Sequence, residues 1–155
     1  MATTVTAADL TVTITESYNL NGVPYGNTTT KTYTSNGQVS QRIMSVAGKG
    51  AEDITWTDIL GLSTLDGQGQ VVKADYKYFR ITNLDDTNEL RLRVYNGADY
   101  VVFEVGVGNS LLLMNAGIDA TTASGAVTFA DIQKISGQTN TASDAIDVEF
   151  VMVTT

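Results

Sequence analysis

The side chains that carry most hydrolytic and group-transfer chemistry are missing from this chain. It has neither histidine nor cysteine, which removes every Ser–His and Cys–His nucleophile and every imidazole or thiolate metal ligand. Carboxylates and lysines are what remain. Asp85 and Asp86 are the most obvious carboxylate pair. Adjacent residues on an extended chain diverge, however, and the stretch from Asn83 to Glu89 (NLDDTNE) reads as a hairpin loop in which Asp and Asn bond their own backbone. The same stretch is rich in oxygen donors, and calcium takes roughly six to eight of them. Its order is not the alternating D-x-D-x-D-G of a recognised calcium loop. Asp66-Gly67-Gln68-Gly69 reads as a flexible turn, and Gly106-Val107-Gly108 is followed by no phosphate-binding pattern. The expectation is a protein without enzymatic activity, metal or cofactor.

The residues most suited to binding lie on either side of that loop. On the first arm of the expected hairpin Phe79 and Ile81 point inward, leaving Tyr76, Tyr78 and Arg80 outward. On the second, Leu90, Leu92 and Val94 point inward, leaving Arg91, Arg93 and Tyr95 outward. Opposed residues of antiparallel strands share a face, so the pattern predicts one patch of three arginines and three tyrosines. In an acidic chain this is a candidate interface for an acidic or planar partner. The alternative is a patch that satisfies itself, with arginine stacked on tyrosine and paired with Glu104 or Asp99. Val151 and Val153 are further candidate interface residues, because they face away from Phe150 and Met152 and make both faces of the last strand apolar.

These side chains need a β scaffold, and period-2 patterning supplies one. Leu10, Val12 and Ile14 alternate with Thr11, Thr13 and Thr15, a strand with one buried face. Residues 28–34 and 39–46 flank Asn36-Gly37, a strong hairpin signal. Residues 19–26 form a second turn-rich loop. Further strands are read at 71–82, 89–95, 100–106, 110–115 and 145–154. The last is the clearest, with Ile146, Val148, Phe150 and Met152 on one side and Asp147 and Glu149 on the other. Residues 52–60 fit either a short helix or a buried strand around Trp56. Phe129, Ile132 and Ile135 followed by Gly137 fit a single helical turn with a glycine stop. Some eight short strands with frequent turns predict an all-β, antiparallel, jelly-roll-like β-sandwich with one or two short helical turns, in a single domain over residues 1–155.

Composition sets the remaining bounds. Hydrophobic residues are 43% of the 155, a globular proportion. Charged residues are only 17%, below the usual ~25%, and Thr, Asn, Ser and Gly take their place. The net charge of -8 argues against phosphate-backbone binding and hence against a nucleic-acid partner. The charge is uneven. Residues 1–51 hold two acids against three bases, and the remainder fifteen against six. No run reaches the ~18 apolar residues of a membrane helix, and the first ten residues carry neither the basic nor the apolar region of a secretory signal. The absence of cysteine fits folding in a reducing compartment.

The run Tyr78-Phe79-Arg80-Ile81-Thr82-Asn83-Leu84-Asp85-Asp86-Thr87-Asn88-Glu89-Leu90-Arg91-Leu92-Arg93-Val94 resembles small virion proteins of tailed bacteriophages. The hydrophobic runs Tyr100 to Val105 and Leu111 to Met114 and the ending Ala145 to Val151 are similar to that group as well. The likeness covers roughly residues 70–155 and carries no catalytic signature. It implies a virion structural subunit, of the cement or decoration type, assembled in the host cytoplasm. It further implies a homo-oligomer that binds the major capsid protein or other virion subunits. A carbohydrate- or receptor-binding module of a phage tail or neck, with Trp56 and exposed tyrosines as stacking platforms, is the second expectation.

Overall fold

Alternating Thr, Val, Ile and Leu become strands along almost every stretch where they occur. A computed structural model describes residues 7–52, 55–63, 71–72, 76–97, 99–114 and 132–154. It contains β1 (Ala8–Leu20), β2 (Val23–Asn36), β3 (Gln38–Val46), β4 (Thr57–Ser63), β5 (Val71–Val72), β6 (Tyr76–Asn83), β7 (Leu90–Tyr95), β8 (Tyr100–Val105), β9 (Ser110–Met114), β10 (Lys134–Thr139) and β11 (Ile146–Thr154). The expected turn at Asp66–Gly69, Phe129 of the expected helical turn and the side chain of Tyr76 lie outside the described residues.

The protein is all-β, with two sheets over one core and a third, two-stranded ribbon. One sheet has the order β5-β4-β10-β7-β8, the other β3-β11-β6-β9. All pairings are antiparallel except the short β4–β5 pair. Leu90, Leu92, Val94 and Ile135 of the first sheet meet Phe79, Ile81, Val148 and Phe150 of the second in a single buried cluster. Full burial of such side chains contributes about 1.5–3 kcal/mol each. The order is that of an antiparallel sandwich and does not by itself establish a jelly roll.

Several expectations are corrected. Among the described residues there is no helix. The stretch around Trp56 leads into β4, the strand alternative, and a register shift opposite Ile135 and Ser136 lets both Ile59 and Leu60 face inward. Ile135 and Gly137 belong to strand β10 rather than to a helical turn. Gly137 is required for space: a Cβ there would stand 2.8 Å from Ile59 Cδ1 and 3.2 Å from Leu90 Cδ1.

The Asn36-Gly37 hairpin does not form. β2 pairs with β1 and β3 with β11, so Gly37 is only a joint between ribbon and sheet, its N–H donating to the Thr154 carbonyl at 3.0 Å. The Asn-Gly turn that does close a hairpin is Asn21-Gly22, at the centre of the second turn-rich loop. Both residues have positive φ, 52° and 82°, as a turn matching the strand twist demands. It joins β1 to β2 directly, with Leu20 opposite Val23.

Candidate interaction surfaces

The largest correction concerns the segment between β6 and β7. Residues 83–89 do not close a hairpin. They carry the chain from the four-stranded sheet to the five-stranded one, because β6 pairs with β11 and β9 while β7 pairs with β10 and β8. Asn83 makes the crossing rigid. Fully buried, it donates its side-chain amide to the Asn88 carbonyl at 2.9 Å and to the Val105 carbonyl at 3.3 Å, while its own Oδ1 accepts from the Asp85 N–H at 3.1 Å. Asp85 then accepts backbone N–H groups of Asn88 at 2.6 Å and Thr87 at 2.8 Å. Those two donors, Asn88 first, hold its carboxyl below the usual Asp range. Glu89 and Asn140 are bonded to each other through both main chain and side chain. The oxygens of Asn83 and Asp85 thus serve the crossing itself. Among the described residues no three Asp or Glu side chains converge as metal ligands.

The three arginines therefore do not share a patch. Arg80 stands on the outer face of the four-stranded sheet, bonded to Glu149 at 2.8 Å, and Gln41 donates to the other oxygen of that carboxylate at 2.8 Å. Tyr78 is on the same face but 6% exposed, covered in part by the Tyr33 ring of β2 at 6.4 Å. This burial raises its phenol above the ordinary value. Arg91, Arg93 and Tyr95 lie on the opposite outer face, that of the five-stranded sheet, half-buried. Arg91 faces Glu104 at 4.0 Å. The Arg93 guanidinium lies between Trp56, 3.7 Å from the ring centre, and Tyr100, 4.4 Å away. Tyr95 packs on Tyr100, and Lys134 sits over Tyr95 while bonding Asp58 at 2.7 Å. Arginine stacked on aromatics and paired with Glu104 is the self-satisfied arrangement, distributed over two faces.

Val151 and Val153 differ from each other. Val151 is half-buried on the outer face of the four-stranded sheet, opposite Arg80 and Gln41. Val153 is 0% exposed. It lies opposite Tyr78, where the base of the ribbon covers the sheet, so as an interface residue toward another molecule it is corrected: this chain already covers it.

The surface that pattern reading missed is the β1–β2 ribbon. It pairs with neither sheet. Its register puts Leu10, Val12, Ile14, Tyr18 and Leu20 of β1 on the same face as Tyr33, Tyr25 and Val23 of β2. The other face is a threonine ladder, with Thr11 opposite Thr32, Thr13 opposite Thr30 and Thr15 opposite Thr28 at hydroxyl separations of 3.3, 3.3 and 3.4 Å. Of the three residues expected to face a core, Leu10 and Val12 are half-buried and Ile14 is exposed. Tyr18, Leu20, Val23 and Tyr25 toward the tip are exposed as well, Tyr18 by 59% and Leu20 by 57%. The rings of Tyr18 and Tyr25 stack at 5.3 Å near the tip. The available signal was length: strands of 13 and 14 residues exceed the common 3–10.

Compared with known proteins, the chain matches no family model, no curated protein and no solved structure.

Proposed function

We propose that the chain is a structural subunit of a tailed-phage particle, a decoration or cement protein that acts by covering neighbouring subunits. One observation carries this reading: the projecting ribbon, whose tip exposes Tyr18, Leu20, Val23 and Tyr25 together on one face, with Ile14 exposed on the same face beyond Glu16 and Asn27. An isolated two-stranded ribbon is marginal in water, and a contiguous exposed apolar face marks a contact surface. The resemblance of residues 78–94 to small virion proteins supports a phage particle as the place where such an arm would act. A low charge content along the arm suits burial, since few ions would need to lose their hydration. A carbohydrate-binding module is the weaker reading, because the Trp56 ring offered as its platform is already stacked by Arg93.

Co-sedimentation tests it. Purified protein is added to phage shells that lack it, and the pelleted fraction is measured against a variant with Tyr18→Thr and Leu20→Thr. Saturable binding that the variant loses is the expected result. Binding to a glycan array with none to shells would overturn the proposal.

A further inference from the structure

β3 is the outermost strand of the four-stranded sheet. It pairs with β11 on one side, and among the described residues no strand pairs with the other. Alternate residues of an antiparallel edge turn their N–H and C=O groups away from the sheet, so about half of its nine residues present main chain outward. Such edges are ordinarily blunted by short length, a bulge, proline or charge. The other edges of the two sheets, β8, β9 and β5, have six, five and two residues. β3 runs in unbroken register with β11 from Gln38 to Val46, with no proline and with Arg42 as its single charge. We propose that this edge receives an extended segment of another polypeptide, added to the sheet as a further strand.

The outward main-chain groups select the kind of occupant. They recur every second residue, roughly 7 Å apart, a repeat matched by another extended main chain. The side chains of β3 then select its sequence. Val39 and Ile43, each 64% exposed, lie on the outer face, opposite Val153 and Glu149. Arg42 is on the inner face, opposite Phe150, with its guanidinium 5.4 Å from the centre of that ring. It is exposed, and among the described residues no carboxylate lies within ion-pair distance of it. Glu149, on the other face, is engaged by Arg80 and Gln41. Opposed residues of neighbouring strands share a face. An antiparallel occupant, in keeping with the rest of this sheet, therefore carries an apolar residue opposite Ile43. The next residue, opposite Arg42, is acidic, and a second apolar residue follows three positions later, opposite Val39. This contact leaves the apolar face of the ribbon free for its own partner.

The test uses the purified chain and a labelled synthetic peptide, Thr-Val-Glu-Thr-Thr-Val-Thr, whose Glu would stand opposite Arg42. Fluorescence anisotropy should show saturable binding, and amide hydrogen exchange should slow within residues 38–46 when the peptide is present. The same peptide with Lys in place of Glu should bind wild type about five-fold or more weakly. Arg42→Glu, its fold checked by far-ultraviolet dichroism, should reverse that preference. The comparison of the two peptides on wild type stands even if the variant does not fold. No saturable binding, equal affinity of wild type for both peptides, a folded variant with unchanged preference, or protection on the ribbon instead of β3 would overturn the proposal. Protection of β3 that grows with protein concentration without peptide would also overturn it, since a second copy would then be the occupant. Peptide binding needs no particle, and Tyr18→Thr with Leu20→Thr leaves β3 unaltered, so this proposal and the decoration role fail separately.

Discussion

Asn83 donates its side-chain amide to the carbonyl of Asn88 across 2.9 Å, and this bond holds the crossing from one sheet to the other. With the Val105 carbonyl as a second acceptor and the Asp85 N–H as donor to it, Asn83 satisfies backbone groups on two separate segments. Asn83→Ala would remove the amide that reaches the buried Val105 carbonyl and the part-buried Asn88 carbonyl. The expected cost is about 2–3 kcal/mol, read as a lower urea midpoint with an unchanged slope. A loss below about 0.5 kcal/mol would show that water replaces the amide.

Acid should weaken the same crossing. Asp85 has its pKa lowered in the folded chain, first by the Asn88 N–H and then by Thr87. A depressed folded pKa means that the unfolded chain binds the proton first as pH falls. The stabilisation is therefore complete above the unfolded Asp range and is lost as pH drops through the folded value. Melting temperatures at neutral pH and near pH ~3 should show a larger drop for wild type than for Asp85→Asn. Equal drops would remove Asp85 from the acid response.

Arg93 should report through the single tryptophan. With the guanidinium 3.7 Å from the Trp56 ring centre, Arg93→Ala opens one face of the indole to water. A red-shifted emission and a loss of about 1–2 kcal/mol are expected. Arg93→Lys should recover little of it, because an ammonium cannot lie flat between two rings. Unchanged emission in both variants would mean that the stack does not persist in solution.

Gly137→Ala tests the packing between the sheets. The added methyl would meet Ile59, Leu90 and Val46 within 3.3 Å. Overpacking of this kind costs about 1–3 kcal/mol. If the variant is as stable as wild type, the core around Gly137 has room that the packing does not show.

How far the chain could be read without coordinates follows from which forces are local. Alternation of apolar and polar side chains is local, so β7, β8, β9 and β11 fall within a residue of their expected limits, whereas the strand expected over 71–82 is divided between β5 and β6, which belong to different sheets. Which sheet a strand joins is not. The loop from Asn83 to Glu89 carries the same turn-forming side chains whether it closes a hairpin or crosses between sheets. The pairing of β6 with β11 and β9, and of β7 with β10 and β8, decides between the two, and β9, β10 and β11 are distant in sequence. That one ambiguity merged Arg80 with Arg91 and Arg93 into a patch that does not exist. Gly137 misled for a related reason, since a glycine that ends a helix and one that makes room for Ile59 look identical in sequence. Leu10, Val12 and Ile14 of β1 alternate as core residues do, yet the burial they predict fades along the strand, from half-buried Leu10 and Val12 to exposed Ile14. Alternation shows that a face is apolar, not what lies against it.

The claim that the chain acts by covering neighbouring subunits is met most directly by a reconstruction of the intact particle. Sandwich-shaped density should stand on the outer shell, with the ribbon from Ala8 to Asn36 lying along an adjacent subunit and Tyr18, Leu20, Val23 and Tyr25 buried beneath it. Purified particles that lack this chain, or density in which the ribbon projects into solvent and touches nothing, would contradict the account.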